Sequence, residues 1–170
     1  MAQSSLKFRL VLVTIVTLAS IRLQGTTIHG PITDVEPDSV SWSALVQVYS
    51  PLFGEDYRAG GKSPGGFDCS GLLQFTFGQL NIKLPASSRD YAHQGQAILR
   101  DSLVVGDFLL FSGRSAQEIG HVGLCVGLKD GQIIMLHSAT HGGVLIENWV
   151  GQSYYERRFL GGRRIFTYVP

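Results

Sequence analysis

A cysteine and two histidines are the residues of this sequence best suited to chemistry. Cys69 stands in Gly65-Gly66-Phe67-Asp68-Cys69-Ser70-Gly71, His121 in Gly120-His121-Val122-Gly123, and His137 in Met135-Leu136-His137-Ser138-Ala139. Asp68 is a good helix N-cap, and Leu72, Leu73, Phe75 and Phe77 supply a buried helix side, so Cys69 falls in that helix's first turn. The partial positive charge there favours thiolate, the reactive form, and predicts alkylation near pH 6, where an ordinary thiol barely reacts. A cysteine nucleophile also needs a proton acceptor and a group to orient that acceptor. His121 as base and His137 as its partner meet the need, because the Asp130-Gly131 turn folds them into antiparallel neighbours at one end of a hairpin. Taken singly, each has a plain alternative: a buried apolar cysteine, or a histidine satisfied within its strand. His29, His93 and His141 lack partners at defined spacing and read as surface or turn residues.

The elements around these residues follow from periodicity and breakers. Val40 to Tyr49 predicts a short amphipathic helix ended by Pro51, and Gly54 to Gly61 is too polar and glycine-rich for a regular element. After the Cys69 helix, Ser87 or Ser88 caps a predicted helix over about Arg89 to Ile98. A turn at Val105-Gly106-Asp107 leads into a strand Phe108 to Phe111, then a loop Ser112 to Glu118. Three strands in hairpin order come next, His121 to Gly127, Gln132 to Ser138 and Val144 to Asn148. A short helix about Tyr154 to Arg158 and a strand Arg163 to Tyr168 complete the pattern. Helices first and an antiparallel sheet second make an α+β layout, with a central sheet of five to six strands.

At 170 residues and 44% hydrophobic content the chain can bury a sizeable core, which excludes a disordered polymer. Residues 1–25 read as an export signal: Lys7 and Arg9 precede an uncharged run of 12 residues, Leu10 to Ile21, short for a bilayer span. Its removal leaves 11 basic against 13 acidic residues, a formal charge of −2, with no field to attract nucleic acid. Residues 26–39 read as a linker arm. An exported chain with two cysteines raises the question of a disulfide. Cys125 lies four residues from His121 on one strand, roughly 13 Å away. If Cys69 meets His121, Cys125 is beyond the roughly 7 Å that a bridge allows, so two free thiols are expected. A zinc site of Cys69, His121 and His137 lacks a fourth ligand at short spacing, so no metal or other cofactor is expected.

The ordered set Phe67-Asp68-Cys69-Ser70-Gly71-Leu72, Leu84-Pro85, Gly106-Asp107-Phe108-Leu109-Leu110-Phe111, Gly120 to Gly127 and Leu136-His137-Ser138-Ala139 resembles the successive signatures of the NlpC/P60 cysteine peptidases. The resemblance runs from about Tyr57 to about Phe166. It implies a papain-like fold over residues 40–170 and hydrolysis of bacterial cell-wall peptides, typically between D-γ-glutamate and diaminopimelate or lysine. It also implies Cys69 as nucleophile, His121 as base and His137 as orienting residue, with Tyr57, Asp68 and Ser70 binding the stem peptide. Two positions depart from the pattern. Ala86 stands where many members have arginine, and Cys125 where a bulky apolar residue is common.

The resulting expectation is an exported monomer, periplasmic or extracellular, acting on peptidoglycan or muropeptides. It would not stay inserted in a membrane after signal cleavage, and it carries no wall-binding module of its own, which leaves room for a targeting or regulatory protein. An amidase or acyltransferase on the same scaffold and a non-catalytic wall-binding protein are the competing readings; the second would be marked by loss of the cysteine and histidines.

Overall fold

The computed structural model describes residues 39–130 and 132–170. The expected export signal (1–25) and all but the last residue of the expected arm lie outside the described residues. Strand β1 (Ser39–Ser41) runs into helix α1 (Trp42–Tyr49), which starts two residues later than the periodicity suggests. The cause is a cap: Ser41 Oγ accepts the Ala44 N–H at 3.3 Å, while Val40 pairs with Tyr168 instead. Pro51 enters a 3₁₀ turn, Ser50–Leu52, that closes the helix.

Gly54 to Gly61 holds turns and one isolated bridge at Tyr57, as expected, and directly after it comes a small hairpin, β2 (Lys62–Ser63) with β3 (Gly66–Phe67). Strands of two residues leave no periodicity to read. Helix α2 (Cys69–Gly78) follows, capped by Asp68, whose side chain accepts the Gly71 N–H at 2.6 Å. Leu72, Leu73, Thr76 and Phe77 are all buried, the pattern of a core helix.

The helix expected over 89–98 is instead a 3₁₀ turn, Ser88–His93, and a strand, β4 (Gln96–Ile98). Gly95 separates them at φ +51°, and a Cβ there would meet the Arg164 carbonyl at 2.1 Å. The chain turns at this close approach because only glycine permits it. Strands β5 (Phe108–Ser112), β6 (Ile119–Lys129), β7 (Gln132–Ala139) and β8 (Gly143–Asn148) appear in the expected hairpin order. After helix α3 (Ser153–Glu156), the strand expected over 163–168 is two: β9 (Phe159–Arg164) and β10 (Thr167–Val169). Between them Phe166 leaves the sheet to stack on Phe77, 5.5 Å between ring centres, and β10 pairs in parallel with β1.

The result is the expected α+β architecture. Six antiparallel strands lie in the order β4-β9-β5-β6-β7-β8. Alternate residues feed two cores. Phe108, Leu110, Val122, Leu124 and Leu136 pack with Leu72, Leu73 and Phe77, whereas Leu109, Phe111, Cys125 and Met135 pack with Trp149 and Tyr155. Just before β5, the buried Asp107 carboxylate accepts from both Arg164 Nε and Nη2 at 2.8 Å. Among the described residues no helix is long and apolar enough to cross a membrane.

The start of α2 is pressed against the preceding loop, since a Cβ on Gly71 would meet the Gly61 carbonyl oxygen at 1.9 Å, while Gly78 faces open space. Gly71→Ala is therefore expected to cost about 2 kcal/mol in urea unfolding, as backbone cannot yield like a side chain. Gly78→Ala, in the same helix, should instead stabilise by up to about 1 kcal/mol. Equal effects of the two substitutions would contradict this contact.

Candidate active site

Cys69, His121 and His137 are brought to one place by three elements. The Asp68 cap sets Cys69 at the first residue of α2, where it is buried, and the N–H groups of Val122, Ser70 and Cys69 itself point at its sulfur. Val122 follows His121 in β6, so the sulfur sits against the same strand that carries the first imidazole. Cys69 and His121 line one cavity of about 420 Å³.

His121 Nε2 lies 2.9 Å from His137 Nδ1. The two are diagonal rather than directly opposed. Continuing the Leu124↔Leu136 register by one step puts Gly123 across from His137. Both imidazoles face the second core, with Tyr155 at 6.3 Å and 5.6 Å between ring centres and Phe111 at 5.9 Å from His121. Glycine at 123 is required by Met135, whose sulfur would sit 2.4 Å from a Cβ there. Gly120 is required as well, because its Cβ would come within 2.3 Å of the Gly113 Cα across the β5–β6 connection. The glycines flanking His121 thus admit Gly113 and Met135.

The electrostatics differ from the expectation that a helix-start cysteine is a thiolate. Burial pushes the Cys69 thiol up from its ordinary value near 9, and Asp68 adds to the rise, against the three N–H groups that lower it. Burial, with His137 next to it, pushes His121 down to about 3. Both effects disfavour charge, so the resting pair is thiol and neutral imidazole. Burial also lowers His137, against an opposing pull from Glu147.

A second cavity of about 280 Å³ adjoins the first; Tyr57, Cys69 and Gly120 line both. Cys69 therefore stands where the two cavities meet. Tyr57 is held there by its bridge to Phe67. Asp68 and Ser70 line the second cavity but are already engaged: Asp68 accepts Gly71 N–H, Ser70 hydroxyl at 3.1 Å and Gly60 N–H at 3.0 Å, and Ser70 also reaches the Ala86 carbonyl at 3.2 Å. Together they shape the groove wall, the single Ser70 hydroxyl hydrogen being shared between Asp68 and the Ala86 carbonyl. His141, read from sequence as a turn residue, is exposed yet lines the first cavity. Glu147, Gln152 and Tyr155, which also line it, went unnoticed in the sequence. Only Glu147 carried a signal, its period-two spacing from Leu145 on β8.

Cys69 and Cys125 are both free thiols, one in each core, on opposite faces of the sheet. Among the described residues no group of three or more histidine, cysteine or carboxylate side chains is arranged to hold a metal ion.

A helix-start cysteine set against paired imidazoles on an antiparallel sheet places the chain in the class of α+β domains with a cysteine–histidine site. Residues 54–164 match the NlpC/P60 family, and the chain belongs to that family. It is 36% identical over 135 residues to a gamma-DL-glutamyl hydrolase of Bacillus subtilis, covering 78% of this chain and 32% of that protein. It is 32% identical over 126 residues to the murein DD-endopeptidase/murein LD-carboxypeptidase MepS of Escherichia coli, covering 74% and 63%. The crystal structure of an NlpC/P60 family protein of Bacillus cereus superposes with a TM-score of 0.63 at 27% identity, over 75% of this chain and 41% of that one. The chain spans 26% to 63% of the length of the curated relatives it matches.

A raised thiol is ionised only at higher pH, and the thiolate present at a fixed lower pH falls about tenfold for every 1.4 kcal/mol or so by which burial disfavours the anion. Iodoacetamide should therefore label Cys69 at a rate that climbs through about pH 9 with no plateau near pH 6. Cys125, fully buried and pushed up to about 11, is the internal control and should stay unlabelled. Peptide mass spectrometry reads both sites, and full-rate labelling of Cys69 at pH 6 would show an ion pair at rest instead.

Proposed function

We propose that this chain is an exported cysteine endopeptidase that hydrolyses peptidoglycan stem peptides at the bond from D-γ-glutamate to diaminopimelate or lysine. Residues 40–170 form the catalytic unit, 26–39 the arm and 1–25 the export signal, so the enzyme works in the periplasm or outside the cell. The observation that carries the reading is the 2.9 Å contact of His121 Nε2 with His137 Nδ1 beside a cavity that Cys69 also lines.

The reaction begins from the neutral pair. Cys69 sulfur attacks the amide carbonyl carbon as its proton passes to His121, whose imidazolium is steadied by His137. The Cys69 backbone N–H, with the Tyr57 hydroxyl, stabilises the oxyanion. As the C–N bond breaks, His121 gives its proton to the leaving amine, and the acyl group remains as a thioester on Cys69. Water then adds to the thioester with its proton going to His121; the C–S bond breaks and the sulfur takes that proton back. The groove on the Asp68 and Ser70 side takes the amino-terminal part of the stem peptide.

The name of the Bacillus subtilis relative supports the γ-glutamyl bond. The Escherichia coli relative is named for a DD bond of murein, which makes a DD cross-link the second reading. Defined muropeptides digested by the purified protein, with products identified by mass spectrometry, separate the two by the amine released. Cys69→Ala should keep its circular dichroism spectrum and lose turnover by about 10⁴-fold or more. A folded Cys69→Ala protein that still cleaves muropeptides removes the cysteine from the reaction. Release of a non-wall amine or acyl transfer would favour the amidase or acyltransferase reading, and binding without cleavage by the wild type the non-catalytic one.

A further inference from the structure

We infer that Glu147 is a positioning residue of this site, one whose carboxylate sets the tautomer of His137 and, through it, that of His121. The inference rests on the cysteine-peptidase reading above. Glu147 lies on β8 two residues beyond Leu145, the partner of His137, and so shares its face of the sheet. Its Oε1 is 2.8 Å from His137 Nε2, and the His137 side chain is fully buried. Its Oε2 accepts an N–H of Gln152 at 2.7 Å, and the same Gln152 nitrogen donates to the Asn148 carbonyl at 2.6 Å. Tyr155 closes the other side, its ring against both imidazoles. The carboxylate is thus held in one orientation by α3 and the turn before it.

The consequence follows from donor and acceptor counting. An ionised carboxylate only accepts, so the His137 nitrogen facing it, Nε2, must carry the hydrogen. A neutral imidazole has one N–H, which leaves His137 Nδ1 as an acceptor. The 2.9 Å contact then requires His121 Nε2 to donate, which leaves His121 Nδ1 with its lone pair. That is the nitrogen needed to take the Cys69 proton. With the opposite setting, His137 Nδ1 would donate to His121 Nε2, His121 would carry its hydrogen on Nδ1, and the thiol would face a donor. Two imidazoles alone accommodate both settings; the carboxylate selects one.

Glu147→Gln tests this because Gln152, by donating to the Oε2 position, holds the new amide's carbonyl oxygen there and turns its NH₂ towards His137 Nε2. The shape is kept and every donor in the relay is reversed. Glu147→Ala leaves His137 Nε2 to cavity water, which permits either setting. On muropeptides, Glu147→Gln should lower kcat about 10²-fold or more with KM within about threefold, and Glu147→Ala should lose less. Nitrogen-15 NMR of labelled histidines should show Nε2–H on both imidazoles in the wild type and Nδ1–H on His137 in Glu147→Gln. An Nδ1–H tautomer of His137 in the wild type overturns the inference without any variant, as does a folded Glu147→Gln protein with unchanged kcat. Failure of the wild type to cleave any muropeptide would count against the proposed function alone, since the tautomer spectra still decide the relay.

Discussion

One buried hydrogen bond ties the two halves of the site together: the Ser138 hydroxyl donates to the Phe67 carbonyl at 2.7 Å. Phe67 is two residues before Cys69 and Ser138 is next to His137, so this contact joins the approach to α2 to the strand of the second imidazole. The segment upstream is laced to β8 in the same way, with Gly54 N–H on the Val144 carbonyl and Val144 N–H on the Glu55 carbonyl, both at 2.9 Å. A Cβ at Gly143 would come within 2.0 Å of that Glu55 carbonyl, so the approach tolerates only glycine. Segments far apart in the chain are thus held at backbone-to-backbone distance. The relation of Cys69 to the histidines follows from that register, not from a direct side-chain bond.

Burial then determines the chemistry. The sulfur receives three backbone N–H groups, which favour the thiolate, yet desolvation is the larger effect and keeps the proton on sulfur. Desolvation likewise strips charge from His121. Both groups are therefore neutral at rest. In such a site the direction in which each imidazole holds its hydrogen matters more than its affinity for a second one. This gives weight to a carboxylate two imidazoles away from the sulfur.

The groove divides its duties between the faces of the sheet. On the side of α2, Asp68 and Ser70 spend most of their hydrogen-bonding capacity on Gly60, Gly71 and Ala86, building the wall before any ligand arrives. On the other side, His137, Glu147 and Tyr155 stand over an aromatic layer of Phe111, Trp149 and Phe159. Phe111 lies 5.9 Å from the His121 ring and Tyr155 packs on both imidazoles, so the pair is covered by aromatic rings on that side.

Much of this was legible in the chain itself. The Asp68 cap before an apolar run located Cys69 at a helix start, and apolar runs broken by Asp130-Gly131 and His141-Gly142-Gly143 marked three successive strands, because capping and period-two alternation are local properties. The small β2–β3 hairpin, the replacement of a helix by β4 at Gly95 and the departure of β10 to pair with β1 were not legible, since each depends on a backbone met only after folding. The same reason hid Glu147. Its period-two spacing from Leu145 fixes its face of β8, but its partner His137 is ten residues away on another strand and no neighbour announces the contact. Local sequence determined which elements form and which carry the reactive side chains; the packing of α2 and α3 on opposite faces of the sheet decided that Cys69 is buried as a thiol and that a carboxylate stands behind the histidines, because desolvation and donor direction exist only once those faces are covered.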